Sequence, residues 1–451
     1  MPLLTYIFIG GIGIPAIVYG VLYEQEVLLF VAAAYIPFNL LLPADFGGIQ
    51  KALNGTNLVL AALFLGMVFG RKSQTVVKKT DIALKLVGLY IALSLISYAR
   101  GSLFHGLPYF QVFIFPLKRW LTPIFLFSFF YKMIRDRNTV KIIFGIVMIT
   151  VIGNIFFGVL EWVDLGFATY AGSRRRLGGF NMHPNFFGAF IAYYLCLLLG
   201  PFLTGFNKTS AKFLLFPLLI GLRVIIPTNS RGAWIAFPPA LATLIFFKSK
   251  ILFIGFFCGI LILIVFFPFL VPETVRTRFE AGMALNASHQ IFEPPSSLPQ
   301  QFLSSSSSIS FRARAVLLEG GLKIIARNPW FGVGWGVFPY IIGNYTEGGL
   351  RGSAHNMFLR IGVEMGLITI VAFFALLFFL FKAALYVFRR EEDTMLKGIT
   401  LGYMGSIPAI IVCNLTGNRF DAVDLISIFW ILSGCILYLK KAIQAERMGL
   451  I

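Results

Sequence analysis

The sequence predicts an all-α polytopic integral membrane protein of about 12 (12–13) transmembrane helices, with one large extracytoplasmic loop that contains an amphipathic helix. Three observations predict it. Of the 451 residues, 58% are hydrophobic and the mean hydropathy is +0.84, against roughly 45–50% apolar content in soluble domains. Apolar stretches near the ~20 residues that cross a bilayer recur along the chain. A single long polar interruption, 271–354, separates the spans of 1–270 from those of 355–451.

In chain order, spans are expected over 2–20, 26–43, 56–70, 82–98, 110–131, 140–160, 184–204, 212–228, 232–247, 250–271, 356–382, 397–415 and 422–439. Residues 1–20 lack a basic leader and a small-residue cleavage site, so they read as a span rather than a removed signal. Lys and Arg gather in alternate loops: Arg71–Lys79, Lys132–Arg137, Lys208–Lys212, Lys248–Lys250, Arg389–Arg390 and Lys440–Lys441. By the positive-inside trend these are cytoplasmic, and the large loop lies on the other side with 161–183, the corner at 230–232 and the turn at 414–421. The net charge of +19 is thus partly topological. No soluble basic segment is long enough for a nucleic-acid partner. Cys196, Cys258, Cys413 and Cys435 all fall in apolar stretches without CxxC spacing, so neither a disulfide nor a metal is assigned.

The large loop has two halves. Residues 281–310 are rich in Ser, Pro and Gln and read as a flexible insertion, with too little apolar surface to offset ordering entropy. A helix is expected over 312–327, stopped by Asn328-Pro329. Its Glu319, Lys323 and Arg327 recur every four residues as one solvated stripe, and Arg312 falls on that stripe. Arg314 does not; it lies on the side of Leu317, Leu318, Gly321 and Ile325. An arginine on an apolar face snorkels or meets an anion. The FGVGWG turn (331–336) lacks the strand–helix setting of a dinucleotide fingerprint and reads as a tight turn. Trp330 and Trp335 read as interfacial.

Other residues on the loop side suit phosphate chemistry. Arg231 opens a helix after Asn229 or Ser230 as N-cap; a helix N-terminus and a guanidinium both attract phosphate. Arg174, Arg175 and Arg176 run against the positive-inside trend and would meet lipid headgroups or a diphosphate. His183-Pro184 reads as a helix start. His355 opens a span, where the helix dipole disfavours imidazolium; a neutral imidazole can serve as general base toward a hydroxyl. Asp421 and Asp424, one helical turn apart, would orient an Arg or His, or form an ion pair with Arg419. No HExxH or acidic pair suggests a metal.

Taken together and in order, RRRLGGFNMHPNFFGAF, NSRGAWIAF, RARAVLLEGGLKIIARNPWFGVGWG and SAHNMFLRIGVEMGL resemble the O-antigen ligase superfamily, which includes O-antigen and related polysaccharide polymerases. The resemblance covers about 170–370. It implies a metal-independent, inverting glycosyltransferase without cofactors, with a twelve-helix body in the bacterial inner (cytoplasmic) membrane and its active site facing the periplasm. The donor would be a glycan on undecaprenyl diphosphate. The acceptor would be lipid A–core for a ligase in lipopolysaccharide biosynthesis, or a second lipid-linked glycan for a polymerase. The matching motifs imply His355 as the base and Arg231 and Arg314 as diphosphate ligands, with Arg176 beside them and Arg312 and Asp421 as secondary candidates. A lipid-linked oligosaccharide transporter is the reading of another class; it predicts charges deep within spans, whereas these cluster at span ends. A scaffold role would leave Arg314 without a purpose.

Overall fold

The computed structural model describes residues 13–38, 54–69, 81–166, 176–179, 183–205, 208–270, 306–346 and 349–449. Among these residues the regular structure is helical, without strands. Among the described residues three helices come first: α1 (Ile14–Leu22), α2 (Gln25–Tyr35) and α3 (Gly55–Phe69). The body follows as α4 (Ile82–His105), α5 (Leu107–Met133), α6 (Arg137–Asp164), α7 (Pro184–Thr204), α8 (Lys208–Val224), α9 (Arg231–Lys248) and α10 (Lys250–Leu270). The large loop contributes α11 (Ser306–Arg327) and the single turn α12 (Phe338–Ile341), and α13 (Met357–Met365) follows it. The chain closes with α14 (Leu367–Arg390), α15 (Thr394–Leu415) and α16 (Val423–Arg447).

Seven helices among the described residues are long and apolar enough to cross a membrane: α4 to α7 and α14 to α16. The chain is therefore a multi-pass helical membrane protein. Several other expected spans correspond to shorter apolar helices. Residues 1–12 and 39–43 of the first two expected spans, and most of the 281–310 insertion, lie outside the described residues.

One expected span is divided. The stretch 356–382 is apolar throughout, yet the structure breaks it at Gly366 (φ +85°) into α13 and α14. A side chain there would collide with the Trp330–Phe331 backbone, and the Leu367 N–H donates to the Pro329 carbonyl at 2.7 Å. The end of the loop helix is thus pinned to the start of a span.

Buried polar bonds knit the core. Tyr194 Oη donates to the Leu425 carbonyl (2.7 Å), Ser406 Oγ to the Tyr193 carbonyl (2.5 Å), and Tyr403 pairs with Ser433 (2.7 Å). α16 is almost wholly enclosed.

One end of the bundle is laced by ion pairs. Arg137 bridges Glu391 (2.8 Å) and Glu446 (2.7 Å), Lys141 meets Asp393 (2.6 Å), and Lys440 meets Asp81. Asp81 and Asp393 also cap α4 and α15, accepting backbone N–H groups at 2.9–3.0 Å. Such caps satisfy donors that a helix start leaves open.

Candidate active site

At the opposite end, four segments meet. The first is the start of α7. Nδ1 of His183 accepts the Asn185 N–H at 3.2 Å, and Pro184 takes the first helical position, as the sequence predicted. The second is the 228–231 corner. Asn229 sits at φ +51°, so the chain turns sharply before α9. Arg176 holds this corner: Nε donates to the Thr228 carbonyl (2.9 Å), and Nη2 to the Asn229 carbonyl (3.0 Å) and Asn185 Oδ1 (2.8 Å). Ser230 occupies the N-cap position, but its hydroxyl is buried and makes no cap bond. Its N–H is instead taken by Thr228 Oγ1 at 3.3 Å. Arg174 and Arg175 lie outside the described residues.

The third segment is α11, which ends at Arg327 where Asn328-Pro329 stops it. Leu317, Gly321 and Ile324 are buried, so Arg314, one turn before Leu317, borders the inward face. Leu318 differs from expectation: it is exposed, because the helix carries apolar residues on more than one side. Glu319 and Lys323 pair in solvent at 2.8 Å, while Arg327 turns aside to cover the Tyr345 ring at 5.1 Å. The Arg312 side chain lies outside the described residues.

The fourth segment carries His355, at φ +48°. Among the described residues, His355 and Asn229 are the two non-glycine residues with left-handed backbone, a costly conformation that concentrates at functional sites. Asn356 Oδ1 then caps α13, accepting the Phe358 and Leu359 N–H groups at 3.0 and 3.1 Å. His355 therefore stands before a short helix rather than a span. Asn418 Nδ2 donates to Ser353 Oγ at 2.7 Å and ties this segment to the α15–α16 corner.

That corner supplies Arg419, which stands out in the sequence only as a pairing partner for an Asp. It is 3% exposed. Its Nη1 donates to the Cys413 carbonyl, its Nε to the Asn185 carbonyl at 3.3 Å, and its own N–H to Asn414 Oδ1 at 3.0 Å. Asp421 pairs with Arg360 (2.9 Å) instead of Arg419. Arg360 also bridges the buried Glu364 (3.1 Å) and lies over Trp335 at 4.9 Å. Glu364 in turn accepts the Phe338 N–H (3.3 Å), and its carbonyl accepts the Gly334 N–H (3.0 Å) and Ser97 Oγ (2.8 Å). The glycines at 332, 334 and 336 all have positive φ, and side chains at 334 and 336 would strike Gly101 and Phe113. The FGVGWG turn is therefore a close-packing device. Trp335 is buried against Trp120, with centroids 4.9 Å apart, rather than interfacial, while Trp330 is exposed.

The electrostatics are one-sided. Among the described residues, neither Arg314 nor Arg419 has a carboxylate in salt-bridge range. Burial, with Arg231 and Arg419 nearby, holds the Arg314 guanidinium below its ordinary value. His355 is exposed at the surface. Partial burial, then Arg314 and Arg419, push its imidazole below the usual 6.5, so the ring is neutral at pH 7. Arg314 Nε, Ser230 Oγ and Asn418 Oδ1 are buried without a hydrogen-bond partner among the described residues, and buried polar atoms in native proteins ordinarily have one.

Residues 216–374 match the family model described as O-Antigen ligase. Over that segment the chain is similar to the O-antigen ligase family. The matched segment takes in Arg231, Arg314, His355, Arg360 and Glu364. No curated protein matches the chain. The ligase-family segment holds most of the cluster, while Arg176 and Arg419 come from outside it.

Proposed function

We propose that the protein is a membrane glycosyltransferase that moves a glycan from undecaprenyl diphosphate to a hydroxyl acceptor on the periplasmic face of the bacterial inner membrane. The proposed acceptor is lipid A–core, which makes the protein an O-antigen ligase. The membrane body is read as about twelve spans with the large loop outside. One observation carries the reading: the His355 imidazole stands near Arg314 and Arg419, neither of which has a carboxylate in salt-bridge range among the described residues. Such a pocket attracts a polyanion and offers a base to a hydroxyl.

In the proposed step, His355 takes the acceptor hydroxyl proton as its oxygen attacks the anomeric carbon. The bond from that carbon to the diphosphate oxygen breaks, and the diphosphate leaves with the electron pair. Arg231 and Arg314 hold it where negative charge develops. One displacement inverts the anomeric centre, and these two cations supply the charge stabilisation without a metal. Arg176, whose donors hold the 228–229 corner, serves as a positioning residue for Arg231. Asp421, bound to Arg360, positions the segment after His355.

Protein reconstituted with the lipid-linked donor and lipid A–core tests this. Transfer that disappears in His355→Ala and Arg314→Ala supports the reading, and wild-type rates in either variant overturn that residue's role. Growth of the lipid-linked glycan with donor alone identifies a polymerase instead. Movement of donor across the bilayer without transfer identifies a transporter.

A further inference from the structure

α11 is divided lengthwise into three faces rather than two. Leu317, Gly320, Gly321 and Ile324 are buried against the protein. Glu319 and Lys323 are exposed and paired with each other at 2.8 Å. Between these faces lie Leu318 (42% exposed) and Leu322 (54% exposed), followed by the exposed Ala326. At 3.6 residues per turn, Leu318, Leu322 and Ala326 fall about 40°, 80° and 120° around the axis from Arg314. The buried residues fall about 240–340° from it, and Glu319 and Lys323 about 140° and 180°. Arg314 thus sits on the seam between the protein-facing side and the exposed apolar side.

A second exposed apolar stripe lies on a span joined to the end of α11. Span α14 presents Leu367, Val371, Phe374 and Phe378 outward along one stripe. Its first residue bonds Pro329, directly after α11. Trp330 (64% exposed) and Phe331 (44% exposed) fill the junction. Exposed apolar side chains therefore occur on α14, at the Trp330–Phe331 junction and on α11, three segments consecutive in the fold.

We propose that α11 is an interfacial helix, with Leu318, Leu322, Trp330 and Phe331 seated in the bilayer leaflet on the active-site side and Arg314 at the edge of that seat. Water on all sides would leave the apolar face wet, and full immersion would bury the Glu319–Lys323 pair. Only the boundary between lipid and water satisfies both faces, as for amphipathic helices that lie in the membrane plane. Lys323, on the water side, is placed to reach headgroup phosphates. The consequence is positional. The bilayer itself holds the Arg314 guanidinium at the depth of lipid phosphates and leaves it open toward a lipid-borne ligand arriving sideways.

Nitroxide labels placed one at a time by Leu318→Cys, Leu322→Cys and Lys323→Cys test this, in a Cys258→Ser background because the other three cysteines are buried. The protein is reconstituted into phosphatidylethanolamine–phosphatidylglycerol vesicles. Accessibility to oxygen, which partitions into lipid, is compared with accessibility to a water-soluble nickel chelate. Labels at 318 and 322 are expected to favour oxygen several-fold, and the label at 323 to favour nickel. Nickel reaching 318 and 322 as readily as 323 overturns the proposal in favour of a solvated face. Protection of 318 and 322 from both reagents overturns it in favour of a protein cover, a second copy included. No substrate enters the measurement, so its outcome is separate from that of the catalytic reading.

Discussion

The two ends of the bundle treat the same cations differently. At one end, Arg137, Lys141 and Lys440 each meet a carboxylate, and two of those carboxylates double as helix caps. At the other, Arg314 and Arg419 meet none among the described residues, and there Arg314 keeps an Nε without a partner. Arg360 is the internal control: it lies within the unpaired end, in the segment after His355, yet is saturated by Glu364 and Asp421. Paired cations tie helices together, whereas cations held without a counter-charge store attraction for an anion from outside. Burying a charge without a counter-charge is costly, and the proposed diphosphate would supply one.

The sharpest way to break this contrast is His355→Ala, expected to lower transfer by about 10²–10⁴-fold with the thermal midpoint little changed. Activity within a few-fold of wild type would strip the unpaired end of its chemistry. Arg360→Met should do the reverse. It leaves Glu364 buried without its cation, at a cost of about 3–5 kcal/mol, read by thermal unfolding in detergent; adding Glu364→Gln should recover part of the loss. Arg314→Ala is expected to cost about 10²–10³ in rate. It should also move the acid limb of the pH–rate profile. The working form of His355 is neutral, so activity falls as pH drops through its depressed value, below 6.5. Removing one neighbouring cation raises that limb toward 6.5 while burial keeps it below. An unmoved limb would separate Arg314 from His355. Arg137→Met, at the paired end, should destabilise by about 1–3 kcal/mol because Glu391 loses a charged donor, with activity per folded molecule unchanged. Least of all, Lys323→Ala removes an exposed i,i+4 pair and should shift stability by about 0.3–0.5 kcal/mol.

Much of the unpaired end was legible residue by residue. Helical phase set Arg314 apart from the solvated stripe, and Asn328-Pro329 marked the helix stop. His183-Pro184 marked the start of α7. The break at Gly366 was hidden because hydropathy runs straight through it; only the Trp330–Phe331 backbone pressing on that glycine forces it. Leu318 pointed outward against expectation because a three-faced helix defeats a two-faced wheel. Arg360 and Glu364 carried a signal, spacing of four on one helix, whereas the third partner, Asp421, is distant in sequence. Arg419 offered none, since its acceptors are backbone carbonyls at Asn185 and Cys413. Arg176 was legible as a cation near the site but not as the clamp on Asn229.

The left-handed backbone at His355 (φ +48°) carries a consequence for engineering. Glycine adopts that conformation without steric cost, so His355→Gly should fold as well as the parent, or better, while losing its imidazole. The position is one where stability and activity pull apart. A molecule so altered would keep its arginines, its corner and its capped helix. It would be the natural trap for catching donor and acceptor side by side, unreacted.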